Sequence, residues 1–262
     1  MKRPLAALAT VTALGLVTGC GTDAGPAGSA AGSSAASATS QTLTVFAAAS
    51  LKATFTTLGQ RFEATHAGTR VTFSFGGSAD LVTQLQQGAP GDVFASADTK
   101  NMDKATADGL VRTPVDFATN TLEIAVPPGN PAGIGSFADL DKPGVKVVVC
   151  APEVPCGAAA AKVEAATKVD LEPVSEENAV TDVLGKVASG EADAGLVYVT
   201  DVKGAAGKVD GVPFPESETA VNTYPVAALA ASRNADLAAQ FVALVTGPDG
   251  QQVLADAGFG KP

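Results

Sequence analysis

The sequence has almost no imidazole, no indole and little positive charge. Its 262 residues hold one His, no Trp and two Tyr, and 17 Lys and Arg stand against 27 Asp and Glu. Each shortage excludes a class of function. A net charge of −10 leaves no basic footprint for a nucleic-acid backbone. A zinc site built on several histidines is impossible when His66 is the only one. A His-dependent hydrolytic triad would have to use that same residue. Aromatics make up only 5% of the chain, so the hydrophobic 46% must build its core chiefly from Ala, Val and Leu. The sequence contains no G-x-S-x-G elbow, no P-loop and no G-x-G-x-x-G fingerprint. The Gly-rich stretch 129–135 follows Pro127-Pro128 and opens no helix, so it reads as a turn.

What is present begins with a leader. Lys2 and Arg3 precede an apolar run from Leu5 to Val17, too short to span a bilayer and shaped like a secretory signal. It ends in Val17-Thr18-Gly19-Cys20, which resembles the lipobox of bacterial lipoproteins. Residues 1–19 are therefore expected to be a signal peptide, and Cys20 to carry the lipid. Loss of Lys2 and Arg3 takes the net charge to −12. Residues 21–41 are a Gly, Ala, Ser and Pro tract with no apolar periodicity, expected to tether a globular domain to the outer face of a membrane. Nothing later is long and apolar enough for a transmembrane helix. Cys150 and Cys156 have five residues between them, and in an exported chain they are expected to form a disulfide.

From residue 42 onward, β-rich runs alternate with helical patterns. Strands are expected at 43–48, 70–76, 92–97, 122–128, 146–151, 194–199 and 224–231. Leu51, Phe55, Leu58 and Phe62 mark an amphipathic helix, as do Val180, Val183, Leu184 and Val187. Further helices run through Leu81 and Leu85, up to about Asp108, over 157–168, and over 235–247 and 248–259. Such alternation predicts an α/β fold with mostly parallel sheets, and the length favours two lobes. Ligands of open α/β sheets sit beyond the carboxyl ends of the strands, where helix N-termini present free N–H groups.

Three strand-to-helix corners carry small residues suited to an anion. Ser50 in VFAAASL and Ser78 in FSFGGSADL are expected at helix N-caps, and Cys156-Gly157 lead into a third helix. His66 reads as an exposed residue at a helix end. Asp92, Asp98, Asp193 and Asp201 flank strands as caps and surface charges, and nothing pairs them as an acid and a base.

Taken in order, VFAAASL, FGGSADL, GAPGDVFASAD, VPCG, GEADAGLVYVTD, TYPVA and GPDGQQVLADAGF resemble the ModA family, the molybdate-binding proteins of bacterial ABC transporters. The likeness covers residues 42–262, and the VCAPEVPCG segment looks like the actinobacterial branch. It implies the two-lobed type II periplasmic-binding fold. Lobe 1 would hold 42–121 and 225–262, lobe 2 would hold 122–224, and the crossings would lie near Asn120–Leu122 and Asn222–Pro225. It also implies that Ser50, Ser78 and Tyr198 bind the oxyanion through hydroxyls, and that Cys156 and Val180 bind it through backbone N–H groups. The local sequence ENAVTDVL leaves Ala179 as the alternative to Val180. No cofactor is implied. Molybdenum would enter only as bound molybdate, with tungstate as its neighbour in size.

The expected partners are an ABC permease and ATPase on other chains, and the chain itself is expected to act as a monomer. Two alternatives remain. One is a receptor for sulfate or another small anion; a ferric receptor is less favoured, since Tyr198 and Tyr224 are the only tyrosines. The other is an exported hydrolase with Ser50 or Cys156 as nucleophile and His66 as base.

Overall fold

The computed structural model describes residues 41–262. The expected signal peptide, the lipidated Cys20 and all of the tether except Gln41 lie outside the described residues. That last tether residue belongs to the first strand, which starts two positions sooner than expected.

The first half of the chain alternates β1 (Gln41–Ala48), α1 (Lys52–Thr65), β2 (Thr69–Gly76), α2 (Ser78–Gln86), β3 (Val93–Ala95) and α3 (Thr99–Ala107), then enters β4 (Val115–Asn120). A short 3-10 turn, Ala49–Leu51, joins β1 to α1. The second half holds β5 (Leu122–Val126), β6 (Val147–Cys150), α4 (Pro155–Thr167), β7 (Ser175–Glu177), α5 (Val180–Ala188), β8 (Ala194–Tyr198), α6 (Val199–Ala205) and β9 (Asp210–Val212). The chain then returns through β10 (Asn222–Ala228) and ends in α7 (Ala235–Thr246) and α8 (Pro248–Ala257).

The strands form two five-stranded sheets, ordered β2-β1-β3-β10-β4 and β7-β6-β8-β5-β9. In the first, β1 runs parallel to β2 and β3, and β10 runs antiparallel to β3 and β4. In the second, β6 runs parallel to β7 and β8, and β5 runs antiparallel to β8 and β9. Each sheet therefore has four strands in one direction and one against it. The opposed strand is in both cases the one that has just arrived from the other sheet. Only Thr121 separates β4 from β5, so the first crossing is abrupt. Pro225 lies inside β10, where it has no N–H to give; the register shifts there between Tyr224 and Pro225.

Three strands and one helix escape the sequence pattern. The three-residue β7 and β9 are polar sheet edges, Ser-Glu-Glu and Asp-Gly-Val, too short to alternate. The edge strand β4 is hidden because a single residue parts it from β5. The seven-residue α6 starts directly after β8 and reads as the tail of that strand. Among the described residues, no helix is long and apolar enough to cross a membrane.

Both faces of each sheet are covered, as βαβ winding requires. In the second sheet, Ile124, Val148 and Leu196 pack with Val163 of α4 and Val183 and Val187 of α5. In the first, successive residues of β1 take opposite faces. Val45 joins Phe55, Leu58, Phe62 and Phe241 on one side, and Phe46 joins Leu81, Phe94 and Met102 on the other. The few aromatics are concentrated here: the Phe241 ring lies 6.0 Å from Phe55, 5.4 Å from Phe62 and 6.4 Å from Phe73. Phe241→Ala should lower unfolding stability by about 3–5 kcal/mol in a denaturant titration.

Candidate functional site

The carboxyl ends of β1, β2, β6, β7 and β8 each lead into a helical element, and the starts of those five elements meet around one small cavity. Ser50 sits in the turn after β1, Ser78 opens α2, Cys156 is the second residue of α4 and Val180 is the first of α5. Tyr198 closes β8 and caps α6. All five residues line the cavity, and they come from both sheets. Ala179 does not line it. The free volume is only about 10 Å³, about the space of one water molecule. Gly77, between β2 and α2, lies against Asn178, ahead of α5, so the starts of these two helices meet beside the cavity.

The two serines are not the caps that the sequence suggests. Ala48 stands at the cap position before Ser50, and Gly77 stands there before Ser78. Freed from capping, both hydroxyls have other partners. Ser78 Oγ accepts from the Ala97 N–H at 3.0 Å, and Ser50 Oγ pairs with the Tyr224 hydroxyl at 3.1 Å. The first N–H groups of a helix have no partner within it, and the helix dipole places partial positive charge there. No Lys, Arg, Asp or Glu lines the cavity. The site is thus neutral in its side chains and rich in donors.

Burial pushes the Tyr198 hydroxyl well above the ordinary phenol range, and the neighbouring Tyr224 adds to the shift. Tyr198 is therefore a neutral donor at physiological pH. Burial also raises the half-buried Asp201 carboxyl to about 7, although the Tyr198 N–H donates to it at 3.0 Å. The other carboxylates flanking strands are structural. Asp98 caps α3, Asp193 accepts from the Lys146 N–H, and buried Asp92 ties Thr44 to Ser232 and Asn234.

Cys150 and Cys156 are joined by a disulfide that closes the loop between β6 and α4, with their Cα atoms 5.6 Å apart. Neither sulfur is thus a free thiol. His66 is half-buried rather than exposed. Its ring stacks on Phe62 at 3.8 Å and its Nε2 meets Gln240 Oε1 at 2.7 Å. Neither Ser50 nor Cys156 has an imidazole partner.

Two interlobed α/β sheets around a cavity of N–H and hydroxyl donors define a solute-binding protein of the type II periplasmic class. Residues 43–260 match the family described as bacterial extracellular solute-binding protein. The molybdate-binding protein ModA of Mycobacterium tuberculosis is 52% identical over 224 residues, which span 85% of this chain and 86% of that one. The chain belongs to this family of extracellular solute-binding proteins and, within it, to the ModA family. Two solved structures share the fold. The periplasmic molybdate-binding protein of Azotobacter vinelandii has a TM-score of 0.71 at 24% identity and covers 84% of this chain and 99% of its own. The sulfate-binding protein SubI of Mycobacterium tuberculosis has a TM-score of 0.69 at 22% identity, with coverage of 84% and 86%.

Two measurements follow from this geometry. A Cβ on Gly77 would lie 2.0 Å from the Asn178 carbonyl oxygen. Gly77→Ala should therefore prop the lobes apart, giving at least tenfold weaker ligand binding with an unchanged melting temperature of the ligand-free protein. The folded Asp201 value lies above the unfolded 3.8, so the folded chain holds this proton more tightly. The associated stability is complete below pH 3.8 and is lost as pH rises through about 7. Asp201→Asn keeps an acceptor for the Tyr198 N–H. It should match the wild-type melting temperature near pH 4 and exceed it at pH 8.

Proposed function

We propose that this protein captures molybdate, and tungstate with it, in the cleft between its lobes and delivers it to an ABC importer. The observation that carries the reading is the convergence of five element N-termini, with three hydroxyls, on one uncharged cavity. In it, Ser50, Ser78 and Tyr198 donate through hydroxyls, and Cys156 and Val180 through backbone N–H groups. Molybdenum is held only as the oxyanion, with no protein atom bound to the metal. The chemistry is binding rather than turnover: Ser50 has Tyr224 as its partner, and Cys156 is tied up in its disulfide.

A tetrahedral dianion satisfies a cage of donors on all its oxygens. A monoprotonated phosphate brings an O–H that needs an acceptor, and no carboxylate is there to provide one. An unmatched polar group of that kind costs about 1–3 kcal/mol, roughly ten- to hundred-fold in affinity. Sulfate is also a full dianion and remains the second reading, supported by the shared fold of SubI. The two anions differ in size, and selection for the larger one is the part of the reading that rests on the likeness to ModA.

The remaining parts of the proposal are topological and cellular. Residues 42–121 and 225–262 form lobe 1 and residues 122–224 form lobe 2. The membership of β1–β4 and β10 in one sheet and β5–β9 in the other supports that division. The chain is exported, and the lipid on Cys20 holds it as a monomer on the outer face of the cell membrane. Permease and ATPase subunits are separate chains.

Calorimetric titration with molybdate, tungstate, sulfate and phosphate checks the assignment. The expected order is tight binding of the first two, weak binding of sulfate and almost none of phosphate; equal affinity for sulfate would sink the molybdate assignment. Ser50→Ala and Ser78→Ala should each weaken molybdate binding about ten- to hundred-fold while circular dichroism stays native.

A further inference from the structure

Asn222, the first residue of β10, lies on the second crossing between the lobes, opposite Asn120 in the ladder. It is 7% exposed and faces the back of the anion cavity. Its Nδ2 lies 2.7 Å from the Ala97 carbonyl oxygen and 3.0 Å from the Tyr198 hydroxyl, with the Pro155 carbonyl oxygen farther off at 3.5 Å. A carbonyl oxygen can only accept, so the group facing Ala97 must be the NH2 end of the amide. That choice fixes the second contact too: the same nitrogen donates its other proton to the Tyr198 oxygen.

We infer that Asn222 is a positioning residue for the anion site, whose amide fixes the Tyr198 hydroxyl as a donor toward the cavity. A hydroxyl has one proton. With the Tyr198 oxygen receiving an N–H from behind, that proton is left for the cavity that Tyr198 lines. The Tyr224 hydroxyl, which Ser50 meets at 3.1 Å, is the other group beside the Tyr198 hydroxyl; a bound oxyanion carries charge and is the stronger acceptor for the Tyr198 proton. Ser78 repeats the arrangement: the Ala97 N–H occupies one lone pair of its oxygen, and its proton is left for the cavity. Ala97 therefore serves both, with its N–H on Ser78 and its carbonyl orienting Asn222. The consequence is specificity. A free hydroxyl can turn and accept the O–H of a protonated oxyanion, whereas one whose oxygen already receives an N–H has one lone pair fewer for it and keeps its proton toward the anion. Asn222 thus sharpens the preference for fully ionised oxyanions without touching them, given the oxyanion reading of the cavity on which this role rests.

Titration of the wild-type protein at pH 8 with sodium molybdate and with sodium phosphate sets the baseline. Absence of molybdate binding there would overturn the oxyanion reading, and the role of Asn222 with it. Asn222→Ala should weaken molybdate binding at least tenfold and strengthen phosphate binding, so that the preference narrows by more than molybdate affinity falls. In a Tyr198→Phe background the same change should leave the ratio of the two affinities unmoved, because the hydroxyl it acts through is gone. Equal loss for both anions, or an equal change of ratio with and without the Tyr198 hydroxyl, would make Asn222 a merely structural residue and overturn the proposal. Should Asn222→Ala fail to fold, Asn222→Ser carries the same readout, since its shorter side chain cannot bridge the two groups that the amide nitrogen joins.

Discussion

Unpaired N–H groups at helix starts are the constraint around which this molecule is arranged. Every α-helix leaves its first turn of donors without partners, and those donors carry the positive end of the helix dipole. α2, α4, α5 and α6 each begin directly beyond a strand end and lead into one cavity. Left in an apolar interior, such donors would be costly. An oxyanion is the partner that suits them all at once, because every face of it accepts. The double crossing between sheets serves this requirement, bringing helix starts from two sheets to opposite sides of a single point.

Charge is handled locally rather than globally. The chain carries a net charge of −10, yet an anion is its proposed ligand. The cavity holds no countercharge and needs none, because fixed dipoles and hydroxyls replace the hydration shell. Asp201 accepts from the Tyr198 N–H, and burial keeps much of its population protonated near neutrality. Rigidity comes from elsewhere. The Cys150–Cys156 bond pins the loop that presents the start of α4, and Asn222 links Ala97 in one lobe with Tyr198 in the other.

The alternation of strand and helix was legible because amphipathic stripes such as Leu51, Phe55, Leu58 and Phe62 and buried runs such as Val147–Cys150 are strong periodic signals. The elements that escaped are those without a period: three-residue edges, a strand parted from the next by Thr121 alone, and a seven-residue helix fused to β8. The five site residues were singled out by family resemblance, and their small or hydroxyl side chains at strand ends were the only local signal. Ser50 and Ser78 show the limit of that signal. Local rules assign both to caps, yet Ala48 and Gly77 occupy those positions and the serines turn to other work. Asn222 was marked only as the start of the second crossing, because no spacing rule connects it with Ala97 or Tyr198.

The sequence by itself determined the acidity, the α/β class and the family, because composition, periodicity and motif order are properties of the chain alone. Only the tertiary structure decided which donors face one another. Convergence of Ser50, Ser78, Cys156, Val180 and Tyr198 depends on contacts between residues up to 148 positions apart. The direction of each hydroxyl depends on partners such as Ala97, Tyr224 and Asn222, which no spacing rule connects to it. A hydroxyl is both donor and acceptor until its neighbours choose for it, and those neighbours are assembled only by folding.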